Sequence, residues 1–429
     1  MIDETLLMLS QLEDLSRHKL AKHIADTLAT YTAADAPIFQ NYYRALQQLF
    51  SRVIVYDWAK RMTEVGIKAV NTEVIELVRR EHPKYVLWFS TDYEFQESTF
   101  DSIREEGSLV IGWFFDDERR FDDYSKWWIP HLDYCVTFFP QASPKYAALG
   151  ARVLQPISCE GVPVDRDWSK VEEKYDVTFV GLKYLDREGY IKELKKRGIP
   201  VQVFGMGWGQ KKGGGFLPFE EMIDIFSTSK INLNFSRAAG SDAEMGLKGR
   251  MTMVCLAGGF LLTEYVPGIE NYFQIDKEIV CFHDVKEMID KADYYLKHGR
   301  ERRAIAQAGW KRATTEYTPF HMFSRVFRQI EEELSLRGKE SQPQELGMPR
   351  PVRKKFSDYY LSWGAAFSKE NYKGLGKEAL ALSLRYYPFN ARSWYYYLVS
   401  FLPYLIRRVI LGLCRAFYFR TRAVFQKTK

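Results

Sequence analysis

The stretch NLNFSRAAGSDAEMGLKGR at 232–250 gathers residue types that hold phosphate. Asn234, Ser236 and Arg237 close an apolar run that reads as a strand, and Lys248 and Arg250 fall near the start of the next helix. Unsatisfied N–H groups at a helix start, with cations beside them, suit a diphosphate. A departing nucleoside diphosphate gains negative charge as its bond breaks, and fixed cations stabilise that charge. A K-G-R triplet on a solvated helix face is the plain alternative. Glycines add a second signal. Gly181 ends the run YDVTFVG, and Gly205, Gly207 and Gly209 follow IPVQVF. Glycine lets backbone amides come close to a phosphate. The spacing G-x-G-x-G differs from the dinucleotide fingerprint G-x-G-x-x-G and leads into more loop, KKGGG, so a simple turn explains it equally well.

Other chemistries find little support. His131 and His283 have no G-x-S-x-G elbow or reactive-cysteine context nearby, and read as structural or cleft-lining. The five cysteines, Cys135, Cys159, Cys255, Cys281 and Cys414, are far apart and form no C-x-x-C pair. They read as reduced core thiols of a cytosolic protein, and no metal site is expected because no histidine clusters with them. The opening MIDETLLMLSQLEDLSRH is acidic and amphipathic, unlike a secretory signal, and no window of 18 apolar residues occurs. The expected location is the cytoplasmic side.

The elements that would position these residues alternate in kind. Residues 1–50 read as an N-terminal helical segment, with Leu6, Leu7, Leu9, Leu12 and Leu15 as one apolar set. Strand-like runs follow at 51–58, 85–90, 108–117 and 134–140, with helical segments between them. A second series starts near residue 175, with strands at 175–182, 199–204, 230–236, 260–264 and 278–282. Strands alternating with helices imply βαβ units and mostly parallel sheets. Ligands in such sheets bind beyond the carboxyl ends of the strands. The expected domains are 51–157 and 158–334, both Rossmann-like, with a linker at 335–354 and a helical tail at 355–429.

The second series carries a resemblance. KGRMTMVCLAGGFLLTEYVPGIENYF, EIVCFHDVKEMIDKADYYL and ERRAIAQAGWKRATTEYTPFHMFSRVF closely resemble CgeB-like glycosyltransferases. FVGLKYLDREGYIKEL and VQVFGMGW look like that family's first two donor-domain strands. The resemblance covers roughly 175–330; residues 51–157 match only in rhythm. It implies an α/β GT-B fold, two Rossmann-like domains facing a cleft, and metal-independent transfer of a sugar from a nucleotide-sugar. No separate cofactor is implied. Lys248 and Arg250 would hold the diphosphate, and Gly181, Gly205 and Gly207 would line the donor crevice. Arg187 is a further cation for the site or a surface residue, and Asn234 and Ser236 would touch sugar or phosphate. One position departs from the pattern. The family reads K-G-R-x-x-E, with the carboxylate on the donor ribose, whereas Met253 stands here, and a thioether cannot accept two hydroxyl hydrogen bonds. Glu264 at the end of FLLTE, or Glu244, is the candidate substitute; a nucleotide held differently and a loss of activity are the alternatives.

The first domain would receive the acceptor and supply any general base. Asp116 and Asp117 after SLVIGWFF are the main candidates, with Asp92 and Glu94 after YVLWFS; caps for the following helices are the alternative role. Trp88, Trp113, Trp127 and Trp128 read mostly as core, with sugar stacking as the other use.

Composition bounds the rest. Of 429 residues 46% are hydrophobic and 27% charged, which excludes wholesale disorder, a fibrous repeat and a polytopic membrane protein. The net charge of +6 is small, and outside the tail basic residues are mixed with acids, so a nucleic-acid partner is not expected. From 401 to 429 there are seven Lys or Arg and no acid. On a helix, Leu402, Leu405, Ile406, Val409, Ile410, Leu413, Ala416 and Phe417 share a face opposite Arg407, Arg408, Arg415 and Arg422, with Leu411 among those arginines and Arg420 interrupting the apolar face near its end. A basic amphipathic helix implies an anionic membrane surface as partner. The combined expectation is a cytoplasmic, peripherally attached glycosyltransferase acting on a glycan or lipid-linked acceptor in surface-polysaccharide synthesis. A non-catalytic nucleotide-sugar-binding protein and a nucleotide-sugar epimerase are the alternatives.

Overall fold

A computed structural model of the chain describes residues 1–13, 15, 18–20, 23, 30–170, 172–184, 186–208, 217–237, 245–336, 346–370, 372 and 374–401. Glu244, Gly209 and the basic stretch from 402 onward lie outside the described residues.

The first half forms a six-stranded sheet in which every neighbouring pair is parallel. Its strands are β1 (Ile2–Ser10), β2 (Phe50–Asp57), β3 (Tyr85–Ser90), β4 (Leu109–Phe114), β5 (Tyr134–Thr137) and β6 (Val153–Leu154), in the order β2-β1-β3-β4-β5-β6. Helices α1 (Thr30–Leu49), α2 (Trp58–Glu81), α3 (Glu97–Glu105), α4 (Asp117–Arg120) and α5 (Ser143–Ala148) connect them. The helical expectation for the first residues is therefore corrected. Residues 2–10 are a strand between two others, and Leu6, Leu7, Met8 and Leu9 are all fully buried. A strand covered on both faces is a continuous apolar run, and its leucines happened to fall at helical spacing.

The second sheet has five strands, again all parallel: β7 (Tyr175–Val180), β8 (Val201–Phe204), β9 (Ser229–Asn234), β10 (Leu261–Glu264) and β11 (Val280–Phe282). Their order is β11-β10-β9-β7-β8, flanked by α6 (Arg187–Lys196), α7 (Phe219–Thr228), α8 (Gly249–Leu256), α9 (Val285–Lys297) and α10 (Gly299–Glu316). Two Rossmann-like α/β domains facing a cleft are the GT-B arrangement.

The chain then returns to the first domain. Helix α11 (Pro319–Ser335) turns an apolar stripe, Met322, Phe323, Val326, Phe327 and Ile330, onto α1 and the first sheet. Phe323 meets Tyr42 edge-on at 5.3 Å and Phe327 meets Phe50 at 4.7 Å. So α11, placed by its sequence position in the second domain, packs on the first. Helices α12 (Arg350–Lys369), α13 (Leu375–Tyr386) and α14 (Ala391–Val399) form a helical layer whose inner face, including Phe356, Tyr360 and Trp363, joins the first-domain core. Helix α12 already begins at Arg350, inside the stretch expected to be linker.

Candidate active site

A cavity of about 510 Å³ opens between the two domains. Such a volume suits a small-molecule ligand. The segment after β4 lines one wall with Asp116, Glu118 and Arg120; the start of α8 lines the other with Lys248, Gly249 and Arg250. The ends of parallel strands and the N-terminus of a helix therefore meet, as the topology requires.

Three cations of the second domain converge there. Lys248 is the N-cap residue of α8, and no side chain caps that helix. Its ammonium pairs across the cleft with the mostly buried Glu118 carboxylate at 2.6 Å. Arg250 donates from Nη1 to Asn234 Oδ1 at 2.9 Å and lies over the Phe179 ring. Burial first, and then the neighbouring Arg187 charge, pull the Arg250 guanidinium down to about 10. Arg187 is 3% exposed and donates to the Leu182 carbonyl at 2.9 Å and the Tyr184 hydroxyl at 2.5 Å. Burial lowers its pKa as well, and its Nε has no hydrogen-bond partner among the described residues. Among the described residues no carboxylate stands at ion-pair distance from Arg187 or Arg250. Arg187 is buried and Arg250 half-buried, and the carboxylates that act on them, Glu264 and Glu160, do so from beyond ion-pair distance, so the pair is held at a cost that an anion in the cavity would lower.

Glu160 is a participant that the sequence did not reveal. It lies in the aperiodic segment between the sheets, and a methyl group on Gly249 would sit 2.3 Å from its Oε1. A β-carbon at position 249 would displace the Glu160 carboxylate, which rests on the first turn of α8. Ser158 donates to Glu160 Oε1 at 2.8 Å. Burial raises the Glu160 pKa, while Arg250 and Lys248 act in the opposite direction. Thr252 ties the segment to α8 by donating to the Ser158 carbonyl at 2.8 Å.

The remaining expected residues fall into two groups. Asp116 reaches the cavity, with its carboxylate paired to Arg119. Asp117 is 2% exposed and off the cavity lining, accepting from the Tyr146 hydroxyl at 3.0 Å; burial raises its pKa to about 6. It holds the α4 turn rather than facing a substrate. Asp92, also raised to about 6 by burial, lies 3.4 Å from Arg120. Glu94 is fully buried and accepts from the Trp88 indole and the Thr91 and Asp92 amides at 2.8, 3.1 and 2.7 Å; burial raises it to about 7. It is a loop brace. Trp88, Trp113 and Trp128 are fully buried core, and His131 and His283 pair with Asp101 and Glu287.

In the second domain, Asn234 and Ser236 are fully buried behind the cavity wall. Asn234 orients Arg250 and donates to Thr263 Oγ1 at 2.9 Å. Glu264, the candidate replacement for a ribose carboxylate, accepts the Ser236 amide at 2.9 Å and lies 3.6 Å from Arg237. It braces the β9 exit and does not line the cavity. Met253 does line it. Gly181, Gly205 and Gly207 are not on the lining; they let two loops lie against each other. Gly205 has φ +114°, and a methyl there would meet the Gly181 carbonyl oxygen at 2.5 Å. Loop 181–184 in turn presents Leu182 and Tyr184 to the cavity.

Residues 187–328 match the profile of a family described as glycosyl transferase-like. Several solved structures align over most of the chain. HepE of Anabaena, solved with UDP and glucose, is 11% identical and covers 77% of this chain and 99% of its own at a TM-score of 0.46. Sucrose-phosphate synthase of Thermosynechococcus elongatus is 8% identical and covers 77% of this chain and 100% of its own at 0.47. An alpha-glucosyltransferase solved with UDP-glucose and DNA is 11% identical, with the same coverages and a TM-score of 0.47. No curated protein matches the sequence.

Proposed function

We propose that this protein is a glycosyltransferase that takes a sugar from a nucleotide-sugar donor. The observation that carries the reading is the cluster of Arg187, Arg250 and Lys248 at the uncapped start of α8, on the wall of an interdomain cavity. The glycosyl transferase-like match covers Arg187, Lys248 and Arg250.

The donor diphosphate would lie against the α8 N-terminus between Lys248 and Arg250, with Arg187 behind. As the bond between the anomeric carbon and the phosphate oxygen breaks, its electron pair goes to the diphosphate, where the two α8 cations stabilise it. An acceptor hydroxyl forms the new bond to the anomeric carbon and gives up its proton. Glu118 is the best-placed protein group to accept it: it stands on the acceptor side and lies 2.6 Å from Lys248 until the diphosphate takes that ammonium. The acceptor would be a glycan or lipid-linked saccharide at the inner membrane face, because the basic amphipathic sequence after 401 suits an anionic bilayer. No helix among the described residues is long and apolar enough to cross a membrane.

Met253 favours a second reading, a binding protein without turnover, since no carboxylate stands there for the ribose. One experiment separates the two. UDP-, GDP-, dTDP-, ADP- and CMP-sugars are screened by ligand-observed NMR, and the donor that binds is followed for slow hydrolysis. Hydrolysis supports the enzyme; binding that never leads to hydrolysis or transfer supports the binder; epimerised free donor points to the epimerase.

A further inference from the structure

Nine large apolar side chains are well exposed among the described residues, and four of them, Phe389, Trp394, Leu398 and Phe401, fall on or beside α14. Single exposed apolar residues are ordinary, but a cluster on one short helix marks a docking face. Trp394, Leu398 and Phe401 are spaced i, i+4, i+7 and so share one face. Leu398 is 61% exposed, Phe401 59% and Phe389 78%.

The opposite face is fixed. The Ser393 and Ser383 hydroxyls meet at 2.6 Å, and Asn390 donates to Ser357 Oγ at 3.0 Å while capping α14 through the Ser393 amide. This buried polar cluster locks α14 onto α12 and α13, so its apolar face is rigidly held outward. The rim is basic. Lys377 stands 3.9 Å from the Phe401 ring centre, Arg350 lies over Phe389, and Arg392 is exposed on α14 itself. Beyond Glu378 the sequence holds nine Lys or Arg and no acid. Exposed aromatic and aliphatic side chains ringed by cations, on a chain that continues basic, match an anionic lipid surface in both polarity and charge.

We propose that the Trp394/Leu398/Phe401 face of α14, with Phe389 beside the helix start, inserts into the interfacial layer of an anionic bilayer. The proposal rests on the membrane reading of the tail but assigns insertion to a folded surface outside that tail. Its test uses the full chain with Cys414→Ser and Leu398→Cys, labelled with an environment-sensitive dye; the four described cysteines are buried. A Tyr294→Cys label on the second domain is the reference. With phosphatidylcholine vesicles containing phosphatidylglycerol, the 398 label is expected to shift to the blue and the 294 label to stay unchanged. Pure phosphatidylcholine should give much less. Phe389→Ser, Leu398→Ser and Phe401→Ser together, all at exposed sites, should lower vesicle partitioning about 100-fold, since each side chain contributes several-fold on its own. Vesicle binding with an unshifted 398 label and an unaffected triple variant would overturn the proposal and leave the tail as sole anchor. A 398 label already blue-shifted without vesicles would mean that the chain covers this face itself, and would also overturn it. Failure of the unsubstituted chain to bind anionic vesicles would remove the tail reading as well.

Discussion

Replacing Arg250 by methionine is expected to make the free protein more stable and unable to hold a nucleoside diphosphate. The guanidinium, ordinarily protonated to above pH 12, is pulled down to about 10 by burial and by Arg187. At about 1.4 kcal/mol per pH unit, that drop corresponds to roughly 3 kcal/mol of destabilisation of the charged form. Arg250 is only half-buried and reaches cavity water, so the full figure is an upper bound. Methionine keeps the apolar stem over Phe179 but gives up the bond to Asn234, a loss of about 1 kcal/mol. The balance is a gain of roughly 1 kcal/mol, or a few degrees in melting temperature. The sign with pH follows. A base whose folded pKa is lowered destabilises the fold while it stays charged, so the variant's advantage is complete at neutral pH and shrinks as pH rises past about 10. Thermal melts at pH 7 and above 10, with and without the nucleotide of whichever sugar nucleotide binds, read all of this. That nucleotide should raise the melting temperature of the unsubstituted protein and leave Arg250→Met where it was. A variant that melts lower than the parent without ligand, or that the nucleotide stabilises as much as the parent, would refute the reading that Arg250 is held at a cost for an anion.

Glu118→Gln should tighten nucleoside-diphosphate binding about tenfold by calorimetry, because the carboxylate competes for Lys248 at 2.6 Å and then faces the diphosphate as a like charge. If the variant retains sugar transfer at the parental rate, Glu118 is not the base. Gly249→Ala should displace the Glu160 carboxylate at a cost of no more than about 1 kcal/mol in urea melts, since the new methyl meets only the end of a side chain beside the cavity, and Glu160→Gly in the same chain should remove that cost. Glu94 and Asp117 have folded pKa values raised to about 7 and about 6. Their contribution to stability is complete below their unfolded values near 4 and is gone once pH has risen through about 6–7, so the melting temperature should fall between about pH 4 and 7 and level off above that. Glu94→Gln should flatten the upper part of that slope.

Much of the architecture was legible because parallel α/β units write themselves as alternating apolar runs and amphipathic helices. The strand β4 and the helix starting at Gly249 were both readable that way. Strand β1 was not, since burial on both faces erases the alternation that distinguishes a strand. Helix α11 fell inside the bounds expected for the second domain and its place against α1 was not legible, because which surface an apolar stripe covers is a tertiary fact. The cations at 248 and 250 were visible through their place before an apolar helix. Glu160 carried no local signal: its position depends on a segment from between the sheets crossing the start of α8. Asp117 and Glu264 were plausible as strand-end acids, but strand-end acids also brace the loops that follow. Their partners, the Tyr146 hydroxyl and the Ser236 amide, come from elsewhere in the sequence.

In the proposed function the cations around the start of α8 hold a nucleotide-sugar diphosphate. The most direct test of that reading is calorimetric titration of the full chain with the sugar nucleotides, beside the Lys248→Ala plus Arg250→Ala variant. One donor is expected to bind, and the double variant to lose it by at least about 100-fold, two charge-assisted contacts being removed. Binding of unchanged strength in the variant, or no binding of any donor to the parent, would contradict it.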